Sequence, residues 1–241
     1  MKGYLLRTWA LWVRGLMLAP LSVSIVALFI EHAHAQVVKF AKTYGGANWD
    51  WASSVRQTSD GGYIVVGVTL SFGAGNRDIF LIKTNASGNL QWAKTYGGTN
   101  EEEAFSVQQT SDGGYIVAGF THSFGAGNRD IFLIKTNASG NVQWAKTYGG
   151  TDDDRAYSVQ KTSDGGYIVA GFTGSFGAGA WDVFLIKTDA SGNVQWAKTY
   201  GGTNSDVASS VQQTSDGGYI VVGFTHSFGA GDRDIFLIKT D

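Results

Sequence analysis

The phrase Ala-Lys-Thr-Tyr-Gly-Gly begins at Ala41, Ala93, Ala145 and Ala197, each 52 residues after the last. Two further phrases keep the same register: Thr-Ser-Asp-Gly-Gly-Tyr-Ile-Val from Thr58, Thr110, Thr162 and Thr214, and Asp-(Ile/Val)-Phe-Leu-Ile-Lys-Thr from Asp78, Asp130, Asp182 and Asp234. No insertion or deletion breaks it. A repeat of this length is one supersecondary unit, and such a unit buries its apolar faces only by stacking on its neighbours.

The second copy shows what the unit is. Ala104–Thr110, Tyr115–Thr121, Asp130–Thr136 and Val142–Tyr148 read as four strands, a to d, rich in Val, Ile, Phe, Tyr and Trp. Ser-Asp-Gly-Gly and Asn-Ala-Ser-Gly between them supply residues that tolerate the positive φ of tight hairpins. The longer loop between b and c is Ser-Phe-Gly-Ala-Gly. No stretch holds a helical period. Four antiparallel strands per module, repeated in tandem, predict an all-β fold: a β-propeller of four blades. Strand a carries constant small residues, Ala52, Ala104, Ala156 and Ala208 with Ser54, Ser106, Ser158 and Ser210. Small side chains suit the crowded axis, so strand a is expected innermost.

Composition agrees and excludes several chemistries. The 241 residues include 34 glycines, one proline and 13% aromatics, which fits a turn-rich β protein and not a disordered chain. Cysteine is absent, which removes disulfides, thiolate metal sites and cysteine nucleophiles. Beyond residue 35 the chain has 15 basic and 19 acidic residues, so it carries no electrostatic footprint for nucleic acid.

Residues 1–35 differ from the rest. Lys2, Arg7 and Arg14 precede an apolar run from Leu16 to Ile30, and Ala33-His34-Ala35 follows. This is the pattern of a secretory signal peptide, with a mature domain from Gln36 to Asp241. Fifteen apolar residues fall short of the roughly 20 that span a bilayer as a helix, so no membrane span is expected after cleavage. The expected location is secreted, periplasmic or cell-envelope. Val37–Tyr44 reads as a lone strand d, and the last module stops after strand c. Docking of that strand on the last a-b-c set would close the ring. The alternatives are half of an eight-bladed homodimer or an open arc.

The strings TSDGGYIVAGF, DIFLIKTNASGNVQWAKTYGG and SVQQTSDGG resemble those of secreted bacterial and archaeal proteins with the SBBP type of seven-bladed propeller repeat. The resemblance covers Val37–Asp241 and implies architecture and export. It brings no catalytic residues.

Loops a–b and c–d should share one face, and that face is nearly constant between copies. Loops b–c and d–a share the other, which varies. There the d–a loop holds Trp49-Asp50-Trp51, Glu101-Glu102-Glu103, Asp153-Asp154-Arg155 and Ser205-Asp206-Val207. The b–c loop holds Arg77, Arg129, Trp181 and Arg233 in one column. A constant frame with one variable face is how a binding surface is built. The expected function is therefore a binding, adhesion or scaffold module for carbohydrate or protein, not an enzyme. Trp49, Asp50, Trp51, Glu102, Asp154, Trp181, Asp206, Arg77, Arg129 and Arg233 are its candidate contacts.

The column Asp50, Glu102, Asp154 and Asp206 keeps its charge in all four copies. Loop capping explains it. A Ca²⁺ site is the alternative, and a propeller-type glycoside hydrolase with these acids is a further one. A purely structural spacer is the remaining reading. No other cofactor is implied.

Overall fold

The computed structural model describes residues 38–241. The expected signal peptide lies outside the described residues.

Fifteen strands follow the sequence register. β1 (Asp50–Gln57), β2 (Tyr63–Thr69), β3 (Asp78–Thr84) and β4 (Leu90–Tyr96) form the first antiparallel sheet, in chain order. β5 (Glu102–Gln109), β6 (Tyr115–Thr121), β7 (Asp130–Thr136) and β8 (Val142–Tyr148) form the second. β9 (Asp154–Lys161), β10 (Tyr167–Thr173), β11 (Asp182–Thr188) and β12 (Val194–Tyr200) form the third. β13 (Asp206–Gln213), β14 (Tyr219–Thr225) and β15 (Asp234–Thr240) form a fourth sheet of three strands. The hairpin glycines carry the positive φ the turns demand: Gly61, Gly113, Gly165 and Gly217 lie between +79° and +88°.

The sheets stack face to face, and the core lies between them. Ile64, Val66, Ile79 and Leu81 of the first sheet are buried with Val107, Val117, Phe132 and Ile134 of the second. Ile116, Ala118, Ile131 and Leu133 repeat that contact with Val159, Val169, Phe184 and Ile186 of the third. Ile168, Ala170, Val183 and Leu185 repeat it with the fourth. Each sheet thus offers a trailing face to the next sheet's leading face. β1, β5, β9 and β13 neighbour one another in turn, so strand a is innermost, as expected.

The expected closure is not formed. Residues 38–44 are not a strand, and β15 pairs only with β14. A strand needs a partner edge, and here residues 40–44 and β15 do not meet.

A buried lysine ties the outer hairpins of each of the first three sheets. Lys135 Nζ donates to Asp112 Oδ2 at 2.7 Å, Gln143 Oε1 at 2.8 Å and the Thr136 carbonyl at 2.9 Å. Lys83 and Lys187 repeat the set with Asp60 and Gln91, and with Asp164 and Gln195. Hydrogen bonds from Lys187 and Thr162 hold Asp164 at about 2. Burial opposes ionisation of Asp112, but Lys135 and Thr110 outweigh it and hold it at about 2 as well. Both sit below the usual carboxylate value of 3.8, so the unfolded chain binds more protons between about pH 4 and pH 2. The stability these acids confer is complete above about pH 4 and is lost as pH falls through 2. The carboxylates are half-exposed, which limits each pair to about 1 kcal/mol at most. Urea midpoints should fall across this window, and Asp112→Asn with Asp164→Asn should be less stable at pH 7 and show a flatter acid limb.

Candidate functional site

The site begins with a defect in strand a. In β5, Ala104 pairs with Gly119 and Ser106 with Ala118, so Phe105 is the extra residue of a β-bulge. The same shift leaves Ser53, Tyr157 and Ser209 unpaired in the other three sheets. A bulge re-aims its side chain. Here it turns one residue per sheet into an axial cleft. A Cβ on Gly119 would strike the Glu103 carbonyl, and the equivalent glycines of the other sheets are as tightly placed. Glycine in the middle of strand b is therefore what lets the bulged strand approach.

The cleft has a volume of about 520 Å³. The bulge residues Ser53, Phe105, Tyr157 and Ser209 line it, with Arg155, Val207, Phe172, Phe224, Trp181 and Arg233. Its aromatic rings form a continuous run. Phe105 and Tyr157 lie 5.0 Å apart between centroids, Tyr157 and Phe172 6.0 Å, and Phe172 and Trp181 4.7 Å. Arg155 lies between Phe120 and Phe172, 4.9 Å and 5.7 Å from their centroids. Its guanidinium forks onto Asp153, with Nη2 at 2.7 Å from Oδ2 and Nε at 3.1 Å from Oδ1. Burial opposes its charge, but Asp153 outweighs that and holds Arg155 above its ordinary value. Burial also pushes the Tyr157 phenol up, so it stays a neutral donor and acceptor at neutral pH. Arg233 stacks on Phe224 at 3.5 Å.

The structure divides the tryptophan and arginine candidates of the sequence into three groups. Trp181 and Arg233 line the cleft. Arg77 and Arg129 staple one sheet to the next. Arg77 reaches Glu103 at 2.7 Å, and Arg129 reaches Glu101 at 3.5 Å and Asp153 at 3.7 Å. Trp49 and Trp51 lie on the first sheet outside the cleft lining, and Trp49 is 80% exposed.

The acidic column is capping machinery. Asp154 Oδ2 accepts the Gly150 N–H at 2.8 Å and the Ser175 hydroxyl at 2.7 Å. Asp206 and Asp50 make the equivalent bonds, and Glu102 accepts from Gly98, Thr121 and Ser123. Burial raises Asp50 and Asp206, but these bonds outweigh it and both fall below the usual carboxylate range. Each carboxylate is used within its own module, tying loop d–a to loop b–c. Among the described residues no three or more His, Cys, Asp or Glu side chains converge as metal ligands. The constant Asp130 and Asp182 likewise fold the Ser-Phe-Gly-Ala-Gly loop by accepting its N–H groups at 2.9–3.1 Å.

Sequence reasoning missed Phe105, Tyr157, Arg155, Phe172 and Phe224. A signal for the first two was present: between the constant Ala and Ser of strand a, one column reads Ser, Phe, Tyr, Ser. Variation inside an otherwise constant strand marks a residue that does not pack in the sheet.

Fold and site together define an all-β repeat protein of propeller-type sheets that carries a cleft on its variable face. No family model matches the chain. The chain is similar to the regulatory protein FlaEY of Caulobacter vibrioides, 27% identical over 174 residues, covering 62% of this chain and 18% of that protein. Among solved structures it is similar to a protein of unknown function from Bacteroides caccae, at TM-score 0.43 and 16% identity, over 71% of this chain and 52% of that one. It is also similar to the WD40 β-propeller domain of Doa1, at TM-score 0.45 and 16% identity, over 70% of this chain and 47% of that one.

Proposed function

We propose that this chain is a secreted or cell-envelope binding module of the SBBP-repeat type, and that its axial cleft takes carbohydrate. One observation carries the reading. Four near-identical frames put unlike residues at equivalent cleft positions: Ser53, Phe105, Tyr157 and Ser209 at the bulge, and Trp181 and Arg233 in the b–c column. A surface built to pack against itself would repeat its residues as the frame does. A run of rings with a phenol and two guanidiniums suits a sugar, whose C–H faces stack on aromatics while its hydroxyls bond to the polar tips. The column acids are engaged in capping their own loops, so the reading is of binding and not of hydrolysis.

The test is a glycan array followed by calorimetry on the best hit. Tyr157→Ala and Trp181→Ala are each expected to weaken binding about tenfold or more, since an aromatic anchor in a lined cleft carries on the order of 1–2 kcal/mol. Unchanged affinity in both variants would refute the assignment. Binding of protein partners alone, lost in the same variants, would keep the cleft and replace carbohydrate with protein.

A further inference from the structure

The two ends of the stack are incompletely covered and complementary. Ile79 and Leu81, on the trailing face of the first sheet, are fully buried, as are Ile131 and Leu133 on the second. Their counterparts on the fourth sheet, Ile235 and Leu237, are 83% and 64% exposed. At the other end the leading face of the first sheet is only partly covered: Phe80 and Ile82 are buried, whereas Val55 is 54% exposed where Val107 and Val159 on the next two sheets are buried. An apolar pocket of about 630 Å³ lies there between residues 42–45 and Phe72, Phe80, Ile82, Leu90 and Ala93. A sheet edge of unpaired N–H and C=O groups beside exposed Ile and Leu is a template for another strand.

Residues 40–44 already sit like a strand d on its inter-sheet side. Phe40 lies 6.0 Å from Tyr63 and the Tyr44 hydroxyl donates to the Gly88 carbonyl. Trp92 of β4 lies 5.8 Å from Tyr115, and the Tyr96 hydroxyl donates to Gly140. What residues 40–44 lack is a strand c. β15 has the same sequence as β3 and β7, Asp-Ile-Phe-Leu-Ile-Lys-Thr, and lacks a strand d. Lys239 shows the consequence: its side chain is 43% exposed, against 5% for Lys83.

A third match lies on the variable face. Arg77 and Arg129 each reach an acid on the next sheet, Glu103 and Asp153. The same offset brings Arg233 to the positions that Trp49 and Trp51 hold on a first sheet. A guanidinium on an indole face is a favourable pair where those acids are missing.

We propose that the fourth sheet of one chain docks on the first sheet of a second copy, whose residues 40–44 add to β15 as its missing strand. The interface continues the contact already made three times within the chain. Within one chain these ends stay apart, whereas two copies satisfy both ends at once and close a ring of eight sheets by two identical seams. The pairing of β3 with β4, in which Leu81 faces Lys94 and Ile82 faces Ala93, sets the register. It places Leu237 opposite Lys42 and Ile238 opposite Ala41 across the seam. Position 39 carries lysine where Gln91, Gln143 and Gln195 stand, so the seam keeps the Asp216 pair but not the amide acceptor.

The test uses the absence of native cysteine. The double variant Lys42→Cys with Leu237→Cys, oxidised at micromolar concentration, is expected to yield a species of two chains linked twice. Wild-type protein should have twice the mass of one chain by light scattering, and Leu237→Lys should shift it to single chains. A disulfide within one chain would overturn the proposal in favour of a four-sheet ring. A ladder of linked species beyond two would overturn it in favour of a filament, and single chains without cross-link would overturn it outright. The pair Ala41→Cys with Ile238→Cys repeats the test at a second rung, should the first fail to fold.

Discussion

Gly119→Ala is expected to cause the largest loss of stability of any methyl-sized change in the second sheet. The added Cβ would meet the backbone carbonyl of Glu103, which has no rotamer by which to move aside. Relief requires the bulge at Phe105 to straighten, and that would shift the register of β5 on β6. A one-residue slip sends every side chain to the opposite face. Overpacking a core commonly costs about 1–3 kcal/mol, and a clash with backbone belongs at or above the upper figure. Urea denaturation should show a fall in midpoint. The variant should also retain cleft binding only in proportion to the native fraction that remains, since Phe105 no longer points to the axis once the bulge straightens. An Ala variant as stable as the parent would mean that the bulge is not held by this glycine.

Asp154→Ala is expected to be the second most damaging change. Asp154 is fully buried, and its removal leaves the Gly150 N–H and the Ser175 hydroxyl without their acceptor. Orphaned buried donors cost about 1–3 kcal/mol each, and hydrogen bonds to a charged group stand at the higher end. A loss of about 2–4 kcal/mol follows, with loops d–a and b–c of the third sheet loosened together. Hydrogen exchange at Gly150 and Ser175 should quicken ahead of the β10–β11 core. A cation-binding role for this column predicts something else, a stability that rises with added Ca²⁺ in the parent and not in the variant. Parent protein indifferent to Ca²⁺, with the variant destabilised as stated, supports capping.

Much of this was legible in the chain itself. Four copies at a constant spacing, each with strand pattern and turn residues, were enough for the four strands of every module and for strand a as the innermost. They were enough to place loops b–c and d–a on one variable face, and to favour capping for Asp50, Glu102, Asp154 and Asp206. These are local matters. Hairpins are set by turn chemistry and by alternation within about ten residues, and a cap by an acid four residues from its backbone donor and within one module of its hydroxyl donor.

The cleft was less legible. Phe105 and Tyr157 lie in a strand whose neighbours are constant and small, and an unbroken alternation would bury them between sheets. A bulge inserts one residue, and it depends on how closely β5 approaches Gly119, which no local pattern records. Arg77, Arg129 and Arg233 occupy one column but do different work, because the first two reach an acid on the following sheet and the third stacks on Phe224 of its own sheet. The open ends stood in the sequence only as an alternative to closure, for the same reason. The sequence determined the module, its strands, its turns and its repeat number, since those follow from short-range backbone and side-chain preferences. Tertiary structure alone decided which side chains reach the axis and that residues 40–44 and β15 remain apart, because both depend on the distance and angle at which whole sheets stack.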